Sequence, residues 1–179
     1  YETHSVFHVS AMSYGALSAP AIQALSVGAA KAGILLNTGE GGLAPFHLKG
    51  QCDLVFQIGT AKYGVRNTDG TLSDNKLQEI AAHASVKMFE IKLSQGAKPG
   101  KGGILPAEKV TAVIASTRGI PMGQDSLSPN RHIDISSVND LLDMIHRVRE
   151  VTGKPVGIKF VLGQPEWLDD LCQAIQTRG

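Results

Sequence analysis

The hydrophobic positions switch repeatedly between a two-residue and a 3.6-residue period, the pattern of strands alternating with helices. Ser5 to Met12 (SVFHVSAM) is a short β-prone run. APAIQALSVGAAKAG then places Ile22, Leu25, Ala29 and Ala32 on one helical face, with Ser18 at the start, Pro20 in the first turn and Gly33 as the stop. ILLNTGEGG begins a second strand and breaks into glycines. Residues 43–85 hold no steady period. They carry a hairpin signal at Asn67-Thr68-Asp69-Gly70 and a short helix from Ser73 to His83, and are expected as an insertion after the second strand. VKMFEIKL resumes a buried strand, ILPAEKVTAVIASTRG reads as a helix with Val110, Val113 and Ile114 on one face, and a weak strand lies near MGQDSLS. In the clearest helix, VNDLLDMIHRVREVTG, the stripe is Leu141, Leu142, Ile145 and Val148 with Val138, between a cap at Ser137 and a stop at Gly153. KPVGIKFVLG is an almost continuous apolar strand, and EWLDDLCQAIQTRG a last helix.

Alternation of this kind predicts an α/β fold with a parallel sheet, because parallel neighbours need a crossover connection and helices to cover them. A barrel and a doubly wound sheet both remain open on the pattern alone. In either, the loops after the strands point to one side, so the residues following SAM, LLNT, EIKL and GIKFVL are expected to converge.

Composition narrows the class. The 179 residues suit one domain, apolar residues make up 42 %, aromatics 5 %, and the formal net charge is +1, so no nucleic-acid partner is suggested. No apolar run approaches the ~20 residues of a membrane span, and YETHSVFHVS lacks the features of a signal peptide; a soluble cytoplasmic setting is expected. Cys52 and Cys172 read as free structural thiols, and the six histidines form no metal pattern.

The candidate chemistry sits after the strands. GEGGLA matches a dinucleotide fingerprint in spacing only, since Pro45 follows and no regular helix opens there. GAKPGKGG is not a nucleotide-phosphate loop: Gln95 stands where glycine is needed, and Gly102 where Ser or Thr is. Lys92 and Lys159 are more informative, lying within FEIKL and GIKFV at the same relative position in two strands. Burying an ammonium is costly without an anionic partner, so such a pair suits an anionic ligand or a reduced, negatively charged cofactor. A lysine on the polar face of an edge strand is the plainer reading of either one alone. Arg131, His132 and Asp134 fit either acid/base machinery or a polar loop leading into a capped helix, and Glu40 reads equally as a surface or an active-site carboxylate. No catalytic residue is assigned.

Together, AMSYGALS, NTGEGG, EIKLSQGAKPGKGG, LP, KVT, SP, HIDISS and VGIKFV resemble the FMN-binding domain of the glutamate synthase family, in order and in approximate spacing from Val6 to Gly163. The resemblance implies a (βα)8 TIM-type barrel with FMN at the carboxyl ends of its strands. The implied activity is that of an oxidoreductase acting on CH–NH2 donors, reducing an imine or 2-oxo acid-derived substrate toward an amino acid such as glutamate. It places Ala11, Met12 and Ser13 beside the flavin, makes Gln95 a flavin contact and sets Lys159 near the flavin N1 and C2 carbonyl edge. Lys92, Lys98 and Arg118 match positions that hold the 2-oxo acid, and Glu40 a carboxylate facing the same site. Hydride delivery comes from flavin N5, the electrons from NAD(P)H or a donor protein. GGILPA replaces the family's GGQLPG, putting Ile104 where an amide contacts substrate. SPNRHIDISS replaces SPPPHHDIYS and gains Arg131. These departures resemble the stand-alone glutamate synthase-like proteins, and no iron–sulfur ligands fall in this segment. Lys101, where typical members carry glutamate, takes no role and is expected to face solvent.

A whole barrel takes ~250 residues. The 179 present are therefore expected to hold about five βα units as one partial FMN-binding domain, with the insertion at about 43–85. The cofactor's phosphate site, usually built after strands 7 and 8, is expected to lie outside them. This chain alone is accordingly expected to bind FMN weakly or not at all, and exposed strand edges favour a homo-oligomer. The alternatives are a non-catalytic truncated barrel that binds a small anion or serves as a structural fragment, and a phosphate-binding or isomerase barrel without flavin.

Overall fold

The computed structural model describes residues 1–96, 98, 100 and 102–178. In chain order the elements are α1 (Ala19–Ala32), β1 (Leu36–Asn37), α2 (Pro45–Leu48), β2 (Leu54–Ile58), α3 (Asp74–Ala81) and β3 (Val86–Lys92), then β4 (Gly103–Leu105), α4 (Ala112–Arg118), β5 (Ser126–Ser128), α5 (Val138–Thr152), β6 (Val156–Lys159) and α6 (Glu166–Arg178).

One parallel sheet has the order β1-β2-β3-β6, and Val9 extends its β1 edge through a parallel bridge to Leu36. Every segment is thus added beside its predecessor, with none of the reversal that marks a doubly wound sheet. The two faces of the sheet differ sharply. Leu36, Leu54, Phe56, Ile58, Phe89 and Ile91 belong to a single cluster with Ala29 of α1, Leu77 of α3, Leu141, Met144 and Val148 of α5, and Leu171 of α6. The helices therefore pack on one side, as around the outside of a barrel wall. The partial barrel expected from the sequence agrees with this order and this single helical layer.

Local chemistry sets the helix limits. Ser18 accepts from the Ala21 amide and Gly33 ends α1 in the left-handed conformation. Ser137 caps α5, Asp140 returns the bond in a capping box, and Gly153 closes it. Hydrogen bonds from Ser136 and Ser137 pull the Asp140 carboxyl down to about 2. The inward face of α1 is Ile22, Ser26 and Ala29; Ala32 is exposed, because the helix is leaving the sheet by its last turn.

Three expectations change. Residues 43–85 are not an insertion: β2 is buried at all five positions and sits inside the sheet, and α3 is its crossover helix. LVFQI, apolar at four of its five positions, lacks the alternation of a half-exposed strand because it is buried on both faces. Only one antiparallel bridge, Arg66 to Leu72, forms around the Asn67–Gly70 turn. The excursion from the sheet comes one unit later. ILPAEKVTAVIASTRG splits into β4, a 3-10 turn at Ala107–Lys109 and α4, and β4 pairs antiparallel with β5, the weak strand near SLS. Pro106 stops the helix from starting early, Thr111 caps it, and Val113 faces outward while Val110 and Ile114 pack inward. SVFHVSAM, finally, forms a bridge at Val9 and one further backbone bond from Met12 to Asn37 rather than a strand; Val6 and Phe7 are 89 % and 79 % exposed. No helix among the described residues is long and apolar enough to cross a membrane.

Candidate active site

The face of the sheet away from the helices turns polar toward the carboxyl ends of the strands. Asn37 and Gln57 both donate to Glu90 Oε1, at 2.9 and 2.6 Å, joining β1, β2 and β3 by one carboxylate. One step further along, Lys92 and Lys159 are register partners in β3 and β6. The paired lysines read from FEIKL and GIKFV are therefore side by side at the rim.

Gln95 organises the space above them. Its Oε1 accepts from Lys92 Nζ at 2.9 Å, and its Nε2 donates to both oxygens of Glu40 at 2.9 and 2.7 Å. Lys92 Nζ also lies 3.2 Å from Glu40 Oε2. Glu40 is thus an inward carboxylate, fixed at two bonds by an amide whose own orientation is set by a lysine. Gly59, at the end of β2, leaves no space to spare: a Cβ there would lie 2.5 Å from Glu40 Cβ.

A cleft of about 430 Å³ opens beside this network, lined by Lys92, Ser94, Gln95, Gly96, Lys98 and Lys159 with Phe160 and Val161. Three lysines line it, and Glu40, bonded to Gln95 and Lys92, is the carboxylate of that network. Lys98 and Lys159 are exposed and take part in no ion pair among the described residues. Ala11, Met12 and Ser13 run along the end of β1: the Met12 amide donates to Asn37 O at 3.1 Å, and Ser13 packs against Gly39.

Arg118 closes α4. It does not line this cleft but packs behind Gly41, 7 % exposed, with its guanidinium 5.1 Å from the Tyr63 ring centroid and bonded to Ser126 Oγ at 2.8 Å. Its Nε has no partner among the described residues. Burial lowers its pKa, opposed by Tyr63 and Glu40. Ile104 also points away from the site, since its neighbour Gly103 is the position facing Glu40 Oε1 and adjacent strand residues alternate. It is 66 % exposed. Lys101 lies outside the described residues.

The loop before α5 proves to be structural and site-bound at once. His132 is 1 % exposed and its Nε2–H donates to Lys92 O at 2.9 Å; Asp134 pairs with the buried Lys62 at 2.9 Å. Lys62 and the neutral, buried His47 were not singled out from the sequence. His47 spans two elements, donating from Nε2 to Met12 O at 2.8 Å and accepting at Nδ1 from the Ala44 amide at 3.1 Å. Its burial had no periodic signal, because α2 is a single turn.

Burial lowers the pKa of both imidazoles, against the raising effect of their backbone hydrogen bonds. A histidine whose folded pKa is lowered contributes stability that is complete above the unfolded value near ~6.5 and is lost as pH falls below it, because the unfolded chain binds the extra proton. The urea midpoint is therefore expected to be lower at about pH 5.5 than at about 7.5; equal midpoints would contradict the burial of both rings.

The model of the conserved region in glutamate synthase matches residues 1–174. The chain belongs to the glutamate synthase family. It is 43 % identical over 171 residues to the glutamate synthase large subunit-like protein YerD of Bacillus subtilis, covering 95 % of this chain and 32 % of that one. Similarity of the same order links it to the archaeal glutamate synthase [NADPH] of Archaeoglobus fulgidus, 44 % over 161 residues, covering 89 % and 29 %. The archaeal-type glutamate synthase [NADPH] of Thermotoga maritima is 42 % identical over 152 residues, covering 84 % and 27 %. The chain thus spans about a third of the length of these relatives or less.

Proposed function

We propose that this chain forms the substrate-side wall of an FMN-dependent, glutamate synthase-like oxidoreductase that reduces an imine of a 2-oxo acid to an amino acid, glutamate being the expected product. The observation that carries the reading is the rim itself: Lys92 and Lys159 in register, with Gln95 and Glu40 locked above one of them and a cleft beside both. In this reading the sheet is five units of a (βα)8 barrel.

The residues suit a flavin. A ring system that gains negative charge on reduction needs a cation at its edge and little side-chain bulk over its face. Lys159 offers the exposed ammonium and Gly96 a backbone without a side chain in the cleft, while Ala11 and Ser13, which do not line it, bring small side chains to the neighbouring end of β1. Bound there, FMN supplies hydride transfer.

The protein's part is binding, orientation and charge. Lys92 and Lys98 hold the carboxylates of the oxo acid, Lys92 turning from Glu40 toward the incoming anion. Glu40, still held by Gln95, accepts from the imine nitrogen and so orients the carbon to be reduced. Arg118 acts from behind the glycine loop, adding positive potential without touching substrate. NADPH, named for the archaeal and Thermotoga relatives, is the proposed electron source.

The full-length protein is expected to purify with the visible absorption bands of a flavin and to form glutamate from 2-oxoglutarate and ammonia with NADPH. A protein that takes up no flavin, even after incubation with excess FMN, overturns the reading in favour of a flavin-free anion-binding module.

A further inference from the structure

Lys62 has no role in the chemistry above, yet it is held under two costly conditions. Its side chain is 2 % exposed, and its backbone stands at φ 54, a left-handed conformation that strains a residue with a side chain. Stability alone does not ask for a buried lysine, since apolar residues of similar volume often replace such ion pairs without loss. What the pair does fix is a position.

Three side chains within four residues of the β2–α3 loop reach β5 and the segment that follows it toward α5. Tyr63 O–H donates to Leu127 O at 2.7 Å, Thr60 Oγ1 to Pro129 O at 2.6 Å, and Lys62 Nζ to Asp134 Oδ1 at 2.9 Å. His132 lies between the last two anchors, and it is His132 that donates to the backbone carbonyl of Lys92. The backbone N–H of Gln95 donates to Asn130 O of the same segment at 3.3 Å. Lys92 and Gln95 are therefore both seated on a segment that the β2 loop holds down. That same loop starts at Gly59, which abuts Glu40.

We infer that Lys62 is a positioning residue for the anion site: through Asp134 it seats His132 on the Lys92 carbonyl, and so sets where the Lys92 ammonium and the Gln95 amide meet their ligand. The inference rests on the reading of Lys92 as an anion-binding cation.

The test uses the full-length protein, Lys62→Met and Asp134→Asn, each also combined with Lys92→Met. The second variant breaks the pair from its half-exposed end, so the question survives if Lys62→Met misfolds. Amide hydrogen exchange needs no ligand: either variant is expected to speed exchange across residues 127–134 and 92–95, while the global unfolding midpoint moves little in Lys62→Met and falls in Asp134→Asn, which leaves a buried ammonium without its anion. Affinity for 2-oxoglutarate, by calorimetry, is expected to fall by about tenfold or more, as for other displaced positioning groups. In the Lys92→Met background, which keeps the carbonyl, the exchange effect should persist and the affinity effect vanish. Unchanged exchange in both segments overturns the inference, as does an affinity loss of the same size with and without Lys92. A wild type that binds no 2-oxoglutarate overturns the site reading instead, and the exchange result alone then decides the role of Lys62.

Discussion

Lys92→Met is expected to lower kcat/KM for the 2-oxo acid by about 10²- to 10³-fold, in line with the ~2–5 kcal/mol lost when one partner of a hydrogen-bonded, desolvated charge pair is truncated. The ammonium holds Gln95 Oε1 at 2.9 Å and Glu40 at 3.2 Å, so its removal leaves an amide acceptor and a carboxylate without their cation. Most of the loss should appear in KM, because a carboxylate contact is made in the ground state and the transition state alike. Lys92→Arg should recover little. A planar fork cannot replace a compact charge enclosed by Gln95 and Glu40. Steady-state kinetics on the full-length enzyme checks this, and a kcat/KM within about threefold of wild type would remove Lys92 from the site, a change too small for a lost charge contact.

The second large effect is on stability. Gly39→Ala is expected to destabilise the fold by about 3 kcal/mol or more, summing the left-handed backbone penalty of ~1–2 kcal/mol with the cost of overpacking. Gly39 stands at φ 67, and a Cβ there would meet the backbone nitrogen of Ser13 at 2.7 Å, an atom that no side-chain rotation can move aside. The clash would part the end of β1 from the Ala11–Ser13 segment, so flavin uptake should fall together with the urea midpoint. Gly28→Ala is the matched control. Gly28 lies in α1 with nothing within 4 Å of a Cβ, so alanine should stabilise by about 0.5–1 kcal/mol through helix propensity. Equal midpoints for the two variants would contradict this account of the β1 end.

How far the sequence could be read follows from which interactions are local. The caps at Ser18 and Ser137 and the stops at Gly33 and Gly153 are fixed by neighbours in the chain, and they stand where expected. Lys92 and Lys159 were readable as a pair because each occupies the same place in its own strand, and the parallel register preserves that equivalence. The glycine-rich stretch 39–42 and the family resemblance marked the carboxyl end of β1 as part of the site, and the structure sets Glu40 there beside Lys92. What escaped was decided at long range. β2 carries no alternation because it is buried on both sides, so its five residues resembled the irregular segment around them. Lys62 and His47 are buried by contacts 72 and 35 positions distant, for which no local pattern exists. The placement of Arg118, with its guanidinium by Tyr63 behind Gly41, is likewise set by contacts distant in sequence.

The claim that the cationic rim binds an oxo acid against a flavin is tested most directly by titrating the flavin-loaded full-length protein with 2-oxoglutarate while recording flavin absorption. The account predicts a saturable change in the flavin spectrum, weakened by salt and lost in Lys92→Met, because that ammonium brings the anion to the ring's edge. A flavin-loaded protein whose spectrum does not respond, or responds identically in Lys92→Met, would contradict it.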